Sequence, residues 1–253
     1  MTFRTIRVRA EGSVCYLQLY RPEANNTINP ELIDECRAVV ASCEESYSVL
    51  VIEGLPEVFC FGADFNGIHG DALAARSESS GANELYQLWE SLAGGSFIVI
   101  SHVRGQANAG GVGFVAASDV VLADAFARFS LSEMLFGIYP ACVLPFLAKR
   151  IGLQRANYLT LSTQPIAVEL AFAWGLVDAW HAQSENLLQR HLQRMKRLSK
   201  TSIAHYKSYV RQLDTSIALA RPLAVKHNYE MHALPGVING IVRYVETGMF
   251  PWE

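Results

Sequence analysis

Two glycine-containing turns carry the groups best suited to chemistry in this chain. In CFGADF, Cys60 to Phe65, a strand-like run meets Gly62, whose tolerance of positive φ allows a tight turn that presents the next amide, that of Ala63. In ANAGGVGFVAASD, Ala107 to Asp119, Gly110 and Gly111 precede an apolar, helix-like stretch, so their N–H groups stand at a helix start, ready for an incoming oxygen. Two such amides make an oxyanion hole. Fixed donors in a dry pocket need not reorganise as negative charge develops on an acyl thioester, and one donor contributes roughly 3 kcal/mol. The acid best placed to serve such a site is Glu133 in FSLSEMLFGIYP, because it opens an apolar segment where greasy walls raise a carboxyl pKa.

Each of these residues also has a plainer reading. Glycines in loops mostly serve backbone geometry. Ser130-Leu-Ser-Glu133 matches a capping box, in which the glutamate reaches back to the cap amide. Asp64 reads as a cap or turn residue rather than a catalyst, and Cys60 and Cys142, with no adjacent histidine, read as small packing groups. Other chemistries lack their motifs. GGVGFV does not give the G-x-G-x-x-G spacing, no phosphate-cradling P-loop occurs, and no G-x-S-x-G elbow is present. The seven histidines show neither H-E-x-x-H nor paired cysteine spacing, so no metal site is expected. What is left is a carboxylate beside an oxyanion hole.

The elements that must hold these groups read as α/β. Alternating Ile6, Val8, Val14, Tyr16, Leu17 and Leu19 about Glu11-Gly12 predict a hairpin. From Pro30, the spacing Leu32, Ile33, Cys36, Val39, Val40, Cys43 predicts a helix to about Glu44. Short apolar runs at Ser48–Glu53 and Phe97–Ser101 predict strands covered on both sides, and two more follow after Asp119 and around Arg128 to Ser130. Between the first two lies the Ala/Ser/Gly-rich stretch Gly70 to Ala82, read as a lid. The later part of the chain is helical, punctuated only by Pro222 and Pro235 after Gln183. A chain of 253 residues with 51% hydrophobic and 18% charged content has ample core material. Net charge −3 gives no general reason to seek nucleic acid, although the seven cations between Gln189 and Arg211 form a basic run without acids. No apolar stretch is long enough for a membrane span, no secretion signal is seen, and the five cysteines are unevenly spaced, so a cytoplasmic setting is expected.

Over nearly its whole length, from RPEANN at Arg21 through VRYVETG at Val242, the sequence resembles the crotonase, or enoyl-CoA hydratase/isomerase, superfamily. VFCFGADF is similar to the first oxyanion loop, HVRGQANAGGVGFVAASDVVLAD to the second, and FSLSEMLFGIYPACVLPFLAKRIG to the segment with the second catalytic glutamate. The resemblance implies a crotonase (ClpP-like) spiral fold of ββα units, with a core over residues 1–182 and a C-terminal helical trimerisation region over 183–253. It implies that Ala63 and Gly110 are the oxyanion donors, that Glu133 is the acid/base, and that Ala24, Asp64, Phe65, Ala107 and Gly111 bind substrate. Where hydratases of the family carry their first glutamate, this chain has Gly113, which leaves one acid of two and favours isomerisation or syn dehydration over simple hydration.

The set RPEANNTIN, EGLPEVFCFGADF, YPACVLPFL, IAHYK and RYVETGMFPWE further resembles the crotonase-fold dehydratases of polyketide β-branching cassettes. That implies a lyase converting 3-hydroxy-3-methylglutaryl groups on an acyl carrier protein to 3-methylglutaconyl groups. It also implies no cofactor beyond the carrier's phosphopantetheine, a downstream crotonase-fold decarboxylase, and a homotrimer or dimer of trimers. The competing readings are an enoyl thioester isomerase or hydratase, a decarboxylase, and a non-catalytic binding protein of the same fold.

Overall fold

The computed structural model describes residues 3–65 and 80–253. The hairpin forms as β1 (Ile6–Glu11) and β2 (Val14–Leu19), paired antiparallel. Parallel strands β3 (Val49–Glu53), β5 (Ile98–Val103), β7 (Val120–Ala123) and β10 (Ala179–Trp180) extend it to six strands in the order β1-β2-β3-β5-β7-β10. Strand side chains alternate between two faces, and the burial follows that period. Cys15, Leu17, Leu50, Ile52 and Val99 belong to the main core, while Val14, Tyr16, Val49, Val51 and Ile100 meet Leu187, Leu188 and Leu192 on the opposite side. The leucines come from the helix Ser184–Met195, so the region after residue 183 completes a core layer rather than standing apart.

Helix α1 (Pro30–Ser46) starts where Asn29 accepts the Leu32 amide at 2.8 Å, with Pro30 in the first turn, and buries the six apolar residues that its spacing predicts. Helix α2 (Ser80–Gly94) takes in the end of the segment read as a lid; the rest of that reading lies outside the described residues. Pro222 does not end its helix, which runs Ser216–His232, whereas Pro235 opens the next, Pro235–Thr247.

A second, four-stranded sheet carries the two glycine turns. It joins β4 (Val58–Cys60), β6 (Gln106–Asn108), β8 (Arg128–Ser130) and β9 (Ile166–Ala167) in that order, with β4, β6 and β8 parallel. Parallel neighbours end at one edge, so whatever follows them must emerge side by side.

The basic run splits in two. Lys200 donates to the carbonyls of Cys43 and Tyr47 at the end of α1, each at 2.7 Å. Lys207, buried, donates to the carbonyls of Leu92 and Phe97 and to Asp119 at 2.6 Å. Burial pushes the Asp119 carboxyl up and the Lys207 ammonium down, with each partly restrained by the other's charge. These two cations are internal fasteners, while Arg190, Arg194, Lys196 and Arg197 stay exposed. Lys207→Met removes the charged partner of Asp119, which keeps the Val99 amide, and the donor to two carbonyls. It should lower unfolding free energy by roughly 3–5 kcal/mol, read from urea denaturation at pH 7.

Candidate active site

The turns after β4, β6 and β8 hold Ala63, Gly110 and Glu133, respectively, and the parallel order of these strands places the three at one edge. Spacing between neighbouring strands is about 4.8 Å, so the outer two stand about 10 Å apart with Gly110 between them. The first turn is held by the loop at Arg21. Ile28 bridges Ala63: its amide donates to the carbonyl of Gly62 at 2.7 Å, and its carbonyl accepts the amide of Asp64 at 3.0 Å. Backbone groups alternate along an extended segment, so the N–H of Ala63 points away from Ile28, toward the β6 side. Among the described residues it has no acceptor. Gly62 has φ +94°, and a Cβ there would lie 2.6 Å from the Cβ of Ala109 and 3.4 Å from the nitrogen of Gly110, which shows how closely the two turns approach.

The second turn is strained. Ala109 takes φ 49°, ψ −122°, a pairing that alanine seldom adopts. It is held on both sides, its amide donating to Ser130 at 3.0 Å and its carbonyl accepting from Val112 at 2.9 Å. This kink starts the helix α3 (Gly110–Ala116) abruptly and leaves the Gly110 amide without an acceptor among the described residues. Asn108 ties all three loops together. Its amide nitrogen donates to the hydroxyl of Ser132 at 2.8 Å and to the carbonyl of Phe61 at 3.4 Å, while its oxygen accepts the hydroxyl of Ser130 at 2.8 Å.

Glu133 begins a single 3-10 turn, Glu133–Phe136, whose cap residue is Ser132. The capping box read from Ser130 is therefore not formed: Ser130 sits in strand β8, and its hydroxyl is spent on Asn108. Glu133 is partly exposed as a residue, but its Oε2 is buried and, among the described residues, has no hydrogen-bond partner. Burial pushes its carboxyl up to about 7, against a smaller pull downward from its own amide and that of Ser132. Such a group exchanges protons near neutral pH, as an acid/base needs. Phe136, in the same turn, packs on Phe65, Tyr244 and Phe250 at ring distances of 5.3, 5.0 and 5.8 Å.

The other expected binding residues have mixed placements. Asp64 pairs with Arg21 at 2.8 Å, which also binds the Thr27 carbonyl, so it fastens the first turn to the Arg21 loop. Ala24 is half-buried in that same loop, in the turn Pro22–Ala24. Ala107 is fully buried between Cys60 and Phe129, and Gly111 abuts the Cys60 carbonyl, where a Cβ would lie 2.2 Å from the oxygen. Cys60 and Cys142 are buried and their thiols are pushed up to about 12 by burial, which suits packing.

Sequence reasoning missed Trp89 on α2. A Cβ at Gly113 would lie 2.4 to 2.7 Å from three carbons of its indole, so the ring fills the volume that a side chain at 113 would need. The same ring reaches within 3.9 Å of a Cβ position at Gly110, and its Nε1 is buried without a partner among the described residues. Elsewhere, ligand atoms of Glu53, His102 and Glu185 lie within 4.8 Å of one another. Both His102 nitrogens are already engaged, with Glu53 at 3.0 Å and Ser184 at 2.9 Å, and Arg9 stands 3.8 Å from Glu53, an arrangement that reads as an internal polar network.

Comparison with known proteins bears on the family and the fold. The enoyl-CoA hydratase/isomerase family model matches residues 9–253. The bacillaene synthase dehydratase PksH of Bacillus subtilis is 54% identical over 100% of this chain and 98% of its own. A 2,3-dehydroadipyl-CoA hydratase of Escherichia coli is 34% identical over 68% of this chain and 67% of its own. Among solved structures, a putative polyketide biosynthesis enoyl-CoA hydratase (pksH) from Bacillus subtilis superposes with TM-score 0.95 at 54% identity, covering 99% of this chain and 100% of that one.

Two stability outcomes follow from the packing. Gly113→Ala forces a methyl into the Trp89 ring and should cost about 1–3 kcal/mol in urea unfolding. Because the folded-state pKa of Glu133 is raised, its ionisation opposes folding: wild-type stability attributable to this group falls as pH rises from 4.5 toward 7. Glu133→Gln should therefore raise the melting temperature more at pH 8 than at pH 5, as read by calorimetry.

Proposed function

Because the chain belongs to the enoyl-CoA hydratase/isomerase family, the crotonases, we propose that it is a hydro-lyase of polyketide assembly. Its substrate is a 3-hydroxy-3-methylglutaryl group on an acyl carrier protein, and its product is the 3-methylglutaconyl thioester. The observation that carries this reading is a carboxyl with a buried oxygen, poised near neutral pH, at a strand edge with two backbone amides that lack acceptors among the described residues. The similarity to a bacillaene synthase dehydratase supports the reaction direction and the setting.

The amides of Ala63 and Gly110 hold the thioester oxygen and stabilise the enolate as the C2 proton leaves. Glu133, as carboxylate, takes that proton. The resulting acid passes it to the hydroxyl departing from C3, the C2–C3 double bond forms, and water is released with Glu133 again ionised. One group can serve both steps because neither of its forms is strongly preferred near pH 7. With indole carbon where a side chain at 113 would stand, no second acid is available from that position, and Glu133 alone carries the proton in either direction.

The exposed Arg190, Arg194, Lys196 and Arg197 suit an anionic carrier protein. Exposed Tyr206, Tyr209, Leu213, Leu219 and Leu223 on the C-terminal helices suit self-association as a homotrimer or dimer of trimers. The product calls for a decarboxylase as the next enzyme. No helix among the described residues is long and apolar enough to cross a membrane.

Mass spectrometry of a carrier loaded with the 3-hydroxy-3-methylglutaryl group should show loss of one water on incubation with the protein. Glu133→Gln should abolish nearly all of it while still binding the carrier. The wild-type rate should fall as pH drops below about 7, because the base form of Glu133 is lost. Loss of carbon dioxide instead, an unchanged mass, or full turnover by Glu133→Gln would overturn the assignment.

A further inference from the structure

Ala63 and Glu133 follow strands that do not touch. β4 leads to the first and β8 to the second, with β6 between them, so no ladder hydrogen bond sets the distance from the amide to the carboxyl. Ile28 fixes the backbone of the first turn, but the Glu133 turn is held less firmly. It is a single 3-10 turn, Glu133–Phe136, and such turns have poorer hydrogen-bond geometry than an α-helix. Asn108 anchors its start through the Ser132 hydroxyl at 2.8 Å, and that hydroxyl gives the turn no cap.

A pair of rings spans the two outer turns directly. Phe65, two residues after Ala63, meets Phe136, the last residue of the Glu133 turn, edge to face at 5.3 Å between centroids and 74° between planes. Two more rings close over Phe136, which is 7% exposed: Tyr244 at 5.0 Å, from the helix Pro235–Thr247, and Phe250 at 5.8 Å, from the residues after that helix. Tyr244 and Phe250 meet each other at 5.1 Å, and Trp252 stacks on Phe250 at 4.7 Å. Ring edges are positive and faces negative, so these offset and edge contacts fix orientation as well as distance.

We propose that Phe65 and Phe250 are positioning residues for the acid/base: acting through Phe136, they set the Glu133 carboxyl at its working distance from the Ala63 amide and keep it dry. This rests on the reading of Glu133 as the proton carrier. A displacement of about 1 Å between reacting groups can cost on the order of a hundredfold in rate, so a turn with few bonds of its own needs such a clamp. Burial raises the Glu133 carboxyl, its own amide and that of Ser132 oppose it, and no charged side chain among the described residues adds to either. Loosening the rings admits water and therefore acts on the carboxyl in one direction, downward. The segment that supplies Tyr244 and Phe250 thus belongs to the catalytic apparatus although it brings no reacting group.

The test is the 13C resonance of the Glu133 carboxyl through a pH titration of the full chain, assigned by its absence from Glu133→Gln. From about 7 in wild type, the midpoint should fall toward 4.5 in Phe250→Ala and in Phe65→Ala, by about one pH unit or more. Phe250→Tyr keeps a ring and should keep the wild-type midpoint. Phe250→Leu, which keeps bulk without a ring, should shift in the same direction as Phe250→Ala and replaces it if the alanine protein does not fold. With the carrier-bound 3-hydroxy-3-methylglutaryl substrate, Phe250→Ala should lower kcat roughly ten- to a hundredfold with KM near the wild-type value, because Ile28 and Ala109, not the rings, hold the two amides. Rings that merely stabilise the fold would lower the melting temperature and leave the midpoint and the kcat of the folded variants unchanged, and that result overturns the proposal. A wild-type protein that removes no water overturns the dehydratase reading instead, while the titration still decides the clamp.

Discussion

The site depends on one constraint: an extended backbone must point consecutive N–H groups to opposite sides. Ile28 takes the carbonyl of Gly62 and the amide of Asp64, so the amide of Ala63 is turned outward by geometry and needs no side chain to aim it. The second amide is freed differently. Ala109 is forced into a strained conformation that ends strand β6 and opens a helix within one residue, and hydrogen bonds to Ser130 and from Val112 hold it there. Asn108 then binds this turn to the other two, through Phe61, Ser130 and Ser132. Donors fixed in this way keep their direction whether or not an oxygen is present, which is what stabilisation of a transient charge requires.

Two glutamates show how surroundings set the state of a carboxyl. Burial pushes both carboxyls up. For Glu53, the hydrogen bond and charge of His102, with Arg104 and Arg9 nearby, outweigh burial and leave its carboxyl below the usual range. Glu133 has only two local amides to oppose burial, and its carboxyl remains raised. One carboxylate is held ionised within a polar network; the other is kept ready to exchange a proton.

Much of the frame was legible in the sequence because it is written in short-range patterns. The hairpin, α1 and the strands at 49–53, 98–103 and 120–123 follow from period-two alternation, a 3.6-residue spacing and compact apolar runs. The two glycine turns were visible for a similar local reason, since a positive φ or a close backbone approach leaves a glycine behind. Residues whose roles arise from distant partners were not visible. Trp89 matters through Gly113, and Lys207 through Asp119, Leu92 and Phe97. The Ser130–Glu133 motif misled because the capping pattern is local, whereas strand β8 claims Ser130 for a ladder formed with a segment over twenty residues earlier. Likewise, a basic run in sequence hides the fact that two of its lysines turn inward.

The aromatic cluster over the Glu133 turn has a consequence for how the chain is made. Phe136 leaves the ribosome roughly a hundred residues before Tyr244 and Phe250, the rings that cover it. At about 5–20 residues per second, that interval is of the order of ten seconds, during which Phe136 has Phe65 beside it but lacks the two later rings. The two glycine turns, held by residues already synthesised, have no such delay. The Glu133 turn therefore completes its packing after the turns at Gly62 and Ala109 have theirs.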